Sequence, residues 1–259
     1  MSARVELVAL CFEANDPLRL ARFWADALRW EVAGDPETEP DAEPDSETDA
    51  EVGLVPTDGT RFRIRFLPTT EPKAGKNRVH LDLTTASIDD QAETVERLIG
   101  LGARPVDVGQ GPDEGHVVLA DPEGNEFCVI EPDNSFLAGC GRLGSITCDG
   151  SPEVGSFWSE ALGWPLVWDQ DDETAIRAPD GSGPFITWGP PVPPKIAENR
   201  LHLDLAPVDP VDQIDQPAET AVDRLVSLGA TRVGRGRGDG RSVVLADPDG
   251  NDFFVSNTR

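Results

Sequence analysis

Apolar residues recur along the chain at two spacings, and the alternation of those spacings predicts the secondary structure. Short runs in which every second residue is apolar predict strands, whereas apolar residues three and four positions apart predict amphipathic helices. Each half of the chain then contains, twice, a strand followed by a helix and further strands. The predicted strands are Val5–Phe12, Val52–Val55, Arg61–Leu67, Val79–Leu83, Val117–Ala120 and Glu126–Ile130 in the first half, and Leu143–Thr147, Ala175–Ala178, Phe185–Trp188, Leu201–Leu205, Val243–Ala246 and Asp252–Val255 in the second.

Local start signals support the predicted helices. Asp16 can cap a first turn in which Pro17 takes the first helical position, and Ser151 with Pro152 repeats the arrangement. The second helix of each half ends near a glycine, which is a common helix stop. We interpret the Phe-Trp pairs on the first helix of each half as core residues and not as a ligand-binding box.

Three sequence blocks recur in the same order, so the two halves are copies of one unit. The third block contains Asp-Pro-x-Gly-Asn, in which proline fixes φ and glycine accepts a positive φ, as a tight turn requires. The pattern predicts an α+β fold made by tandem duplication, with one domain at residues 1–134 and a second at residues 140–259. The repeated blocks are Phe23–Trp30 with Phe157–Trp164, Asn77–Leu83 with Asn199–Leu205, and Ala120–Phe127 with Ala246–Phe253.

Acidic residues outnumber basic ones so strongly that the formal net charge is −26 at pH 7. The segment Gly34–Glu51 is rich in acids and has no bases, and we interpret it as an elaborated loop of the first copy. A polyanion is repelled by nucleic acid and by an anionic membrane surface, so neither is an expected partner. The chain has no apolar run long enough for a membrane span, no signal-peptide pattern and no CxxC pair. We therefore expect a cytoplasmic protein without disulfides or structural zinc.

The repeated motifs carry a family resemblance. A doubled unit with FW…AL-x-W on a helix, NR-x-HLDL on a strand and ADPEGNEF at a hairpin resembles the vicinal oxygen chelate superfamily. That superfamily includes glyoxalase I, bleomycin-resistance proteins, fosfomycin-resistance enzymes and extradiol dioxygenases. The resemblance covers both copies and implies two βαβββ modules per copy, with a curved mixed sheet around a cleft. Because fused copies can form internally the interface that single-copy relatives form as dimers, we expect either a monomer or a homodimer.

The same resemblance implies where a metal ion would bind. Metal-dependent members use His and Glu side chains from the first, fourth, fifth and eighth strands of a domain. Here those positions offer too few donors within one copy, so no metal ligand and no cofactor are expected, and a divalent metal is disfavoured. The corresponding residues are Ala9, Arg63 or Arg65, His80 and Cys128 in the first copy, and Leu143, Phe185 or Thr187, His202 and Phe254 in the second.

Strand periodicity separates side chains that pack against helices from side chains that line a cleft. In the first strand it predicts Leu7 in the cleft and Val8 against the helices. The predicted cleft of the first copy is ionic, and that of the second copy is mostly apolar and hydroxylic. The predicted ligand-binding residues are Ala9, Cys11, Arg63, Arg65, Cys128, Phe185, Thr187, His202 and Phe254.

Three arginines alternate on one strand, Arg61–Arg65, in an otherwise acidic chain. Beside His80, two guanidinium groups would suit a carboxylate or phosphate of a ligand. Alternatively they pair with Asp82, with Glu126 or with the acidic loop, which would then act as a displaceable lid over them.

His80 and Asp82 share one strand face, so the carboxylate could orient the imidazole for proton transfer, and both are candidate catalytic residues. The pair recurs as His202 and Asp204, which favours a structural role. Cys128 is interpreted as a buried, inert thiol, with a low-pKa thiol beside arginine as the alternative.

These residues favour a metal-free protein that binds a small organic molecule in its cleft. One alternative is a lyase, isomerase or dioxygenase-like enzyme that uses His80 with a metal or with Asp82. The other is a non-catalytic interaction or regulatory module. The first copy's cleft is the one expected to support polar chemistry.

Overall fold

A computed structural model of the chain describes residues 4–33, 51–111, 114–192, 194–208, 217–235 and 242–256. Within these ranges, no helix is long and apolar enough to cross a membrane. The predicted acidic loop lies outside the described residues, apart from Glu51 at its end.

Four βαβββ modules follow one another along the chain. The first consists of β1 (Val5–Ala14), α1 (Pro17–Leu28), β2 (Glu31–Val32), β3 (Val52–Val55) and β4 (Arg63–Pro68). The second consists of β5 (Val79–Leu83), α2 (Ile88–Gly100), β6 (Arg104–Pro105), β7 (Val117–Ala120) and β8 (Glu126–Val129). The third consists of β9 (Leu143–Asp149), α3 (Pro152–Leu162), β10 (Leu166–Gln170), β11 (Glu173–Ile176) and β12 (Phe185–Gly189). The fourth consists of β13 (Leu201–Pro207), α4 (Pro217–Leu228), β14 (Thr231–Arg235), β15 (Val243–Ala246) and β16 (Asp252–Val255).

Each predicted strand is found within a few residues of its expected bounds, and the tandem α+β fold is confirmed. The strands β2, β6, β10 and β14 were not predicted. All four lie at the ends of sheets, and many of their residues are exposed. A strand that buries neither face has no apolar alternation to detect.

The modules form two eight-stranded mixed sheets, and each sheet takes one module from each copy. The first sheet has the order β14-β15-β16-β13-β1-β4-β3-β2, and the second has the order β10-β11-β12-β9-β5-β8-β7-β6. At the centre of the first sheet, β1 and β13 are antiparallel with Cys11 opposite His202. At the centre of the second, β5 and β9 are antiparallel with His80 opposite Thr147. Each sheet is therefore shared between the two sequence copies, which the linear repeat does not reveal.

The aromatic helix stripe is core, as predicted, and it also ties the modules together. Trp24 of α1 is buried, and its Nε1 donates to Asp121 Oδ2 at 3.1 Å. Trp158 of α3 donates in the same way to Asp247 Oδ2 at 3.2 Å. Each aspartate is the first residue of a predicted turn, and the turn glycines Gly124 and Gly250 have φ values of 92° and 84°. Each copy thus anchors its first helix on the last turn of its second module.

The two predicted helix starts differ in detail. Asp16 accepts a hydrogen bond from the backbone N–H of Arg19 at 3.1 Å, as a capping residue should. Ser151 stands at the equivalent position but makes no side-chain capping bond. The backbone N–H of Ser151 donates to the carboxylate of Asp249, just as that of Asp16 donates to Glu123. The prediction that the Ser151 side chain caps α3 is therefore wrong, although the helix begins where predicted.

Two β-bulges change which side chains face the helices. In β1 the pairing skips a residue between Leu7 and Ala9, so Leu7 enters the main core, and the predicted cleft position of Leu7 is wrong. In β9 the corresponding irregularity lies opposite Asp82 and Leu83, and Leu143 is a core residue that is 1% exposed. A bulge reverses the alternation on one side of it, which strict period-two counting cannot anticipate.

Candidate functional site

Each sheet has a cleft face, defined as the face opposite the one that packs against helices. Each sheet combines a module of the first copy with a module of the second. The side chains that were predicted to share one copy's cleft are therefore divided between the two sheets. The cleft face of the first sheet carries Ala9, Cys11, Arg63, Arg65, His202, Asp204, Asp252 and Phe254. The cleft face of the second sheet carries His80, Asp82, Glu126, Cys128, Ser145, Thr147, Phe185 and Thr187. The predicted position of the arginines beside His80 is therefore wrong, since Arg63 and Arg65 lie in the other sheet.

The linker segment, residues 131–142, covers the cleft face of the second sheet. Phe136 stacks on Phe185 with ring centroids 4.8 Å apart, and Leu137 is 6% exposed. With Val118 and Cys128 they form an apolar cluster separate from the main core. The linker therefore covers Val118, Cys128 and Phe185 on this face, whereas His80, Thr147 and Thr187 remain partly exposed.

The first sheet keeps open space on its cleft face. A cavity of about 1130 Å³ is lined there by His202, Val244 and Phe254. The rings of His202 and Phe254 lie 4.2 Å apart between centroids. Two equivalent loops supply other walls, from residues 69–78 in the first copy and from Pro191 and residues 194–200 in the second. Of the sheet residues that line this cavity, Val244 and Phe254 are the counterparts of Val118 and Cys128, which the linker segment covers on the second sheet.

A buried polar cluster crosses the centre of the first sheet. Arg65 Nη1 donates to Asp204 Oδ2 at 3.1 Å, and Asp204 Oδ1 lies 3.6 Å from His202 Nε2. Burial raises the pKa of Asp204 to about 6, although hydrogen bonding from Cys11 and the charge of Arg65 act in the opposite direction. Burial, and then Asp204, hold the pKa of Cys11 well above its ordinary value, so Cys11 is a neutral thiol. We expect this cluster to be sensitive to pH through Asp204.

The corresponding cluster in the second sheet is organised by hydroxyl groups. Asp82 Oδ2 accepts hydrogen bonds from Ser145 Oγ and Thr147 Oγ1, both at 2.6 Å. Thr187 Oγ1 donates to Thr147 Oγ1 at 3.0 Å. His80 Nε2 lies 3.5 Å from Asp82 Oδ1, nearly the separation of the His202–Asp204 pair. The candidate catalytic pair thus recurs with similar geometry in both sheets, which favours the structural interpretation.

The arginine row pairs mainly with acids of the chain. Arg65 makes two hydrogen bonds to the carboxylate of Glu51, the last residue of the acidic segment. Arg61 pairs with Asp180 at the surface, and Arg63 is exposed. Pairing with the acidic loop is thus confirmed for Arg65, whereas the other predicted partners were wrong. The lid hypothesis concerns residues 34–50, which lie outside the described residues.

Cys128 has the environment of an inert thiol. Burial raises its pKa, and the nearby carboxylate of Asp82 raises it further. The arginines named in the low-pKa alternative belong to the other sheet, so that alternative is wrong. All four cysteines of the chain are free thiols.

The residues do not fit the metal centre that the family resemblance implies. In the first sheet Cys11, His202 and Asp204 bring three potential ligand atoms within 4.8 Å of one another, but the guanidinium of Arg65 already pairs with this carboxylate. At the four implied positions the first sheet has His202 as its one donor. Ala9 lies opposite Asp204 in the first sheet, and Ser145 lies opposite Asp82 in the second. Ser145, and not Leu143, is therefore the counterpart of Ala9.

In the second sheet the potential ligand atoms of His80, Asp82 and Cys128 also lie within 4.8 Å of one another, but two of these three donors come from one strand. One oxygen of Asp82 is already engaged by two hydroxyl groups. Ser145 and Phe185 stand where further His or Glu ligands would be needed.

Of the residues predicted to bind ligand, His202 and Phe254 line the cavity. Phe185 and Cys128 lie beneath the linker segment, and Ala9 and Cys11 are buried in the sheet. The prediction overlooked the two loops that form the other walls. Their sequences, Lys73–Arg78 and Lys195–Arg200, share Lys-x-x-x-Asn-Arg, of which only the Asn-Arg pair was used in the prediction, as part of NR-x-HLDL.

Comparison with known proteins agrees with this architecture. A sequence model described as a glyoxalase-like domain matches residues 9–130 and 145–256. No curated protein matches the sequence significantly. Glyoxalase I from Zea mays is similar in structure, with a TM-score of 0.58 and 14% identity over 98% of this chain and 92% of that one. A putative dioxygenase from Bacillus subtilis subsp. subtilis str. 168 has a TM-score of 0.57 and 14% identity over 99% of this chain and 86% of that one. At this level of identity, the structural similarity concerns the fold alone.

Proposed function

The chain belongs to the glyoxalase-like domain family, and on that premise we propose that it binds a small organic molecule on the cleft face of the first sheet, without a resident metal ion. The observation that carries the proposal is the cavity of about 1130 Å³ on this face. Protein sites for small ligands are commonly apolar cavities of roughly 300–1,000 Å³ with a few polar groups that fix the orientation of the ligand. Val244 and Phe254 supply apolar surface here, and His202 and Arg78 supply polar groups.

The number of sites follows from the linker segment. Its Phe136 and Leu137 pack on apolar side chains of the cleft face of the second sheet, where a ligand would otherwise bind. We therefore expect one molecule of ligand per chain, although the fold contains two related sheets.

A thermal-shift screen of small organic molecules tests this function. A ligand present at about 100 times its dissociation constant stabilises the folded state by about 2.7 kcal/mol. Val244→Trp places a large ring in the cavity and should abolish the shift for each genuine ligand. Val226→Trp is the matched control, because Val226 is 44% exposed on α4 and does not line the cavity. Compounds that stabilise Val244→Trp as well as the unchanged protein would contradict the proposed site.

A metal-dependent enzyme is the second candidate, because His80, Asp82 and Cys128 converge in the second sheet. Elemental analysis of the purified protein separates the two candidates. If the protein contains stoichiometric divalent metal and His80→Ala loses it, the result would favour the metal-dependent enzyme over the metal-free binding protein. Metal content unchanged by this substitution would count against the enzymatic alternative.

A further inference from the structure

Arg78 is a buried cation in the wall of this cavity. Its side chain is 8% exposed and lines the cavity. The guanidinium Nη2 donates to the backbone carbonyl of Asp249 at 3.1 Å. Nε and Nη1 have no hydrogen-bond partner among the residues that the structure describes. Because buried guanidinium donors that lack an acceptor are energetically costly, an oxyanion that reaches them is favoured.

The counterpart residue in the second copy, Arg200, shows what Arg78 lacks. Arg200 Nη2 donates to Glu123 Oε2 at 2.8 Å and to Asn15 Oδ1 at 3.0 Å. Its Nη1 donates to the backbone carbonyl of Glu71 at 2.7 Å. Arg200 is therefore neutralised by a carboxylate of the protein itself.

Two sequence differences accompany this contrast. Gly150 stands at the position of Asn15 and so offers no side-chain acceptor. Asp249 stands at the position of Glu123 in the repeated turn and has the shorter side chain. Its carboxylate accepts a hydrogen bond from the backbone N–H of Ser151 at the start of α3. Within the described ranges it forms no ion pair with Arg78. At equivalent positions the chain thus has one arginine that pairs with a carboxylate and one, Arg78, that among the described residues donates only to a backbone carbonyl.

Lys76 and Asp149 are charged residues that line the same cavity as Arg78. Lys76 also lines the cavity and has no ion pair within the described part of the chain, whereas Lys195 is paired with Asp252. Asp149 is buried in the same wall, and burial raises its pKa while Lys76 and Arg78 act against that rise. Asp149 is thus a carboxylate whose charge interacts with both Lys76 and Arg78. The acids that line the cavity are Glu13, Glu71, Asp149, Glu198 and Asp252.

We infer that the ligand is an amphipathic organic anion whose oxyanion group, such as a carboxylate or sulfonate, is bound by Arg78. Its apolar body lies on Phe254, Val244 and Val233, which line the same cavity. This inference rests on the proposed binding function and specifies the ligand class for that site. It follows from bidentate recognition of oxyanions by guanidinium groups and from the apolar sheet residues.

Two dyes with the same aromatic body provide the test. They are 1-anilinonaphthalene-8-sulfonate, which is an anion, and N-phenyl-1-naphthylamine, which lacks the sulfonate. Fluorescence titration of the full chain should give a dissociation constant about tenfold lower for the anion, because a charge-assisted hydrogen bond contributes an effect of about this size. Arg78→Gln should bring the two dissociation constants within about twofold, and Arg78→Lys should restore part of the preference.

Arg232→Gln is the matched control, since Arg232 is exposed and pairs with Glu219 away from the cavity. It should leave the preference for the anion unchanged. Equal binding of both dyes by the unchanged protein, or a preference that survives in folded Arg78→Gln, would overturn the assignment to Arg78 while leaving the binding function intact. If neither dye binds, the binding function fails as well. Circular dichroism of each variant establishes that it is folded, and the Arg78→Lys result decides the matter if Arg78→Gln does not fold.

Discussion

The cleft faces of the two sheets are built from equivalent modules, but one is covered by the linker segment and the other lines a cavity. On the second sheet Val118 and Cys128 are covered by the linker segment, whereas their counterparts Val244 and Phe254 line a cavity on the first sheet. The strands beneath these residues are equivalent in order and register. The faces therefore differ both in the linker segment above the second sheet and in the polar side chains at their centres. A duplicated fold can convert one of its two sites into core simply by the path of its linker.

The scaffold under both faces remains symmetric, and the largest expected effects come from disturbing it. Asp121 is fully buried and accepts hydrogen bonds from Trp24 Nε1 and from the backbone N–H groups of Glu123 and Asn125. Asp121→Ala should lower the free energy of unfolding by about 4 kcal/mol, because several buried donors lose their acceptor. Asp247→Ala should cost a similar amount. Chemical denaturation measures both, and a large loss in only one variant would show that the scaffold is not symmetric.

The same symmetry explains what could be predicted from the sequence. Helix starts, the Asp-Pro-x-Gly-Asn turns and the aromatic stripes depend on neighbouring residues, so local patterns locate them. The neighbours of His80 could not be predicted in this way. Thr147 lies opposite it because two antiparallel strands from different copies pair, and this pairing depends on how the modules dock. The alternation in β1 fails at Leu7 because a bulge has no local signal there.

Removing the cover from the second sheet should reduce the difference between the two faces. Leu137→Ala should lower the free energy of unfolding by about 3 kcal/mol, within the usual range for a buried leucine. It should also allow a second molecule of N-phenyl-1-naphthylamine to bind, which isothermal titration calorimetry would report as a change in stoichiometry. Leu18→Ala, at a position on α1 that is 38% exposed, is the control and should affect neither quantity. An unchanged stoichiometry in the folded Leu137 variant would mean that the linker segment does not block a site.

The polar centre of the first sheet should make the stability of the protein depend on pH through Asp204. The folded-state pKa of Asp204 is about 6, above the value of roughly 3.9 expected in the unfolded chain. The folded state therefore binds more protons between these values, and its stability falls as the pH rises from about 4 to 6. Relative to Asp204→Asn, the unchanged protein should lose on the order of 2 kcal/mol across this window.

Urea denaturation at a series of pH values measures the difference between the two proteins. Arg65→Met should move the midpoint to higher pH, because the guanidinium of Arg65 lowers the pKa of Asp204. A difference that is constant from pH 4 to 7 would mean that Asp204 has no raised pKa.

The smallest effects should appear at a matched pair of valines. Val106 packs against the apolar cluster under the linker segment, and its counterpart Val233 is 58% exposed beside the cavity. Val106→Ala should cost about 1 kcal/mol, because it removes packed methyl groups. Val233→Ala should change the free energy of unfolding by less than about 0.5 kcal/mol, as surface substitutions usually do. Val233→Ala should nevertheless weaken binding of both naphthalene dyes, whereas Val106→Ala should leave it unchanged. If Val106→Ala weakened dye binding and Val233→Ala did not, the two faces would have been assigned the wrong way round.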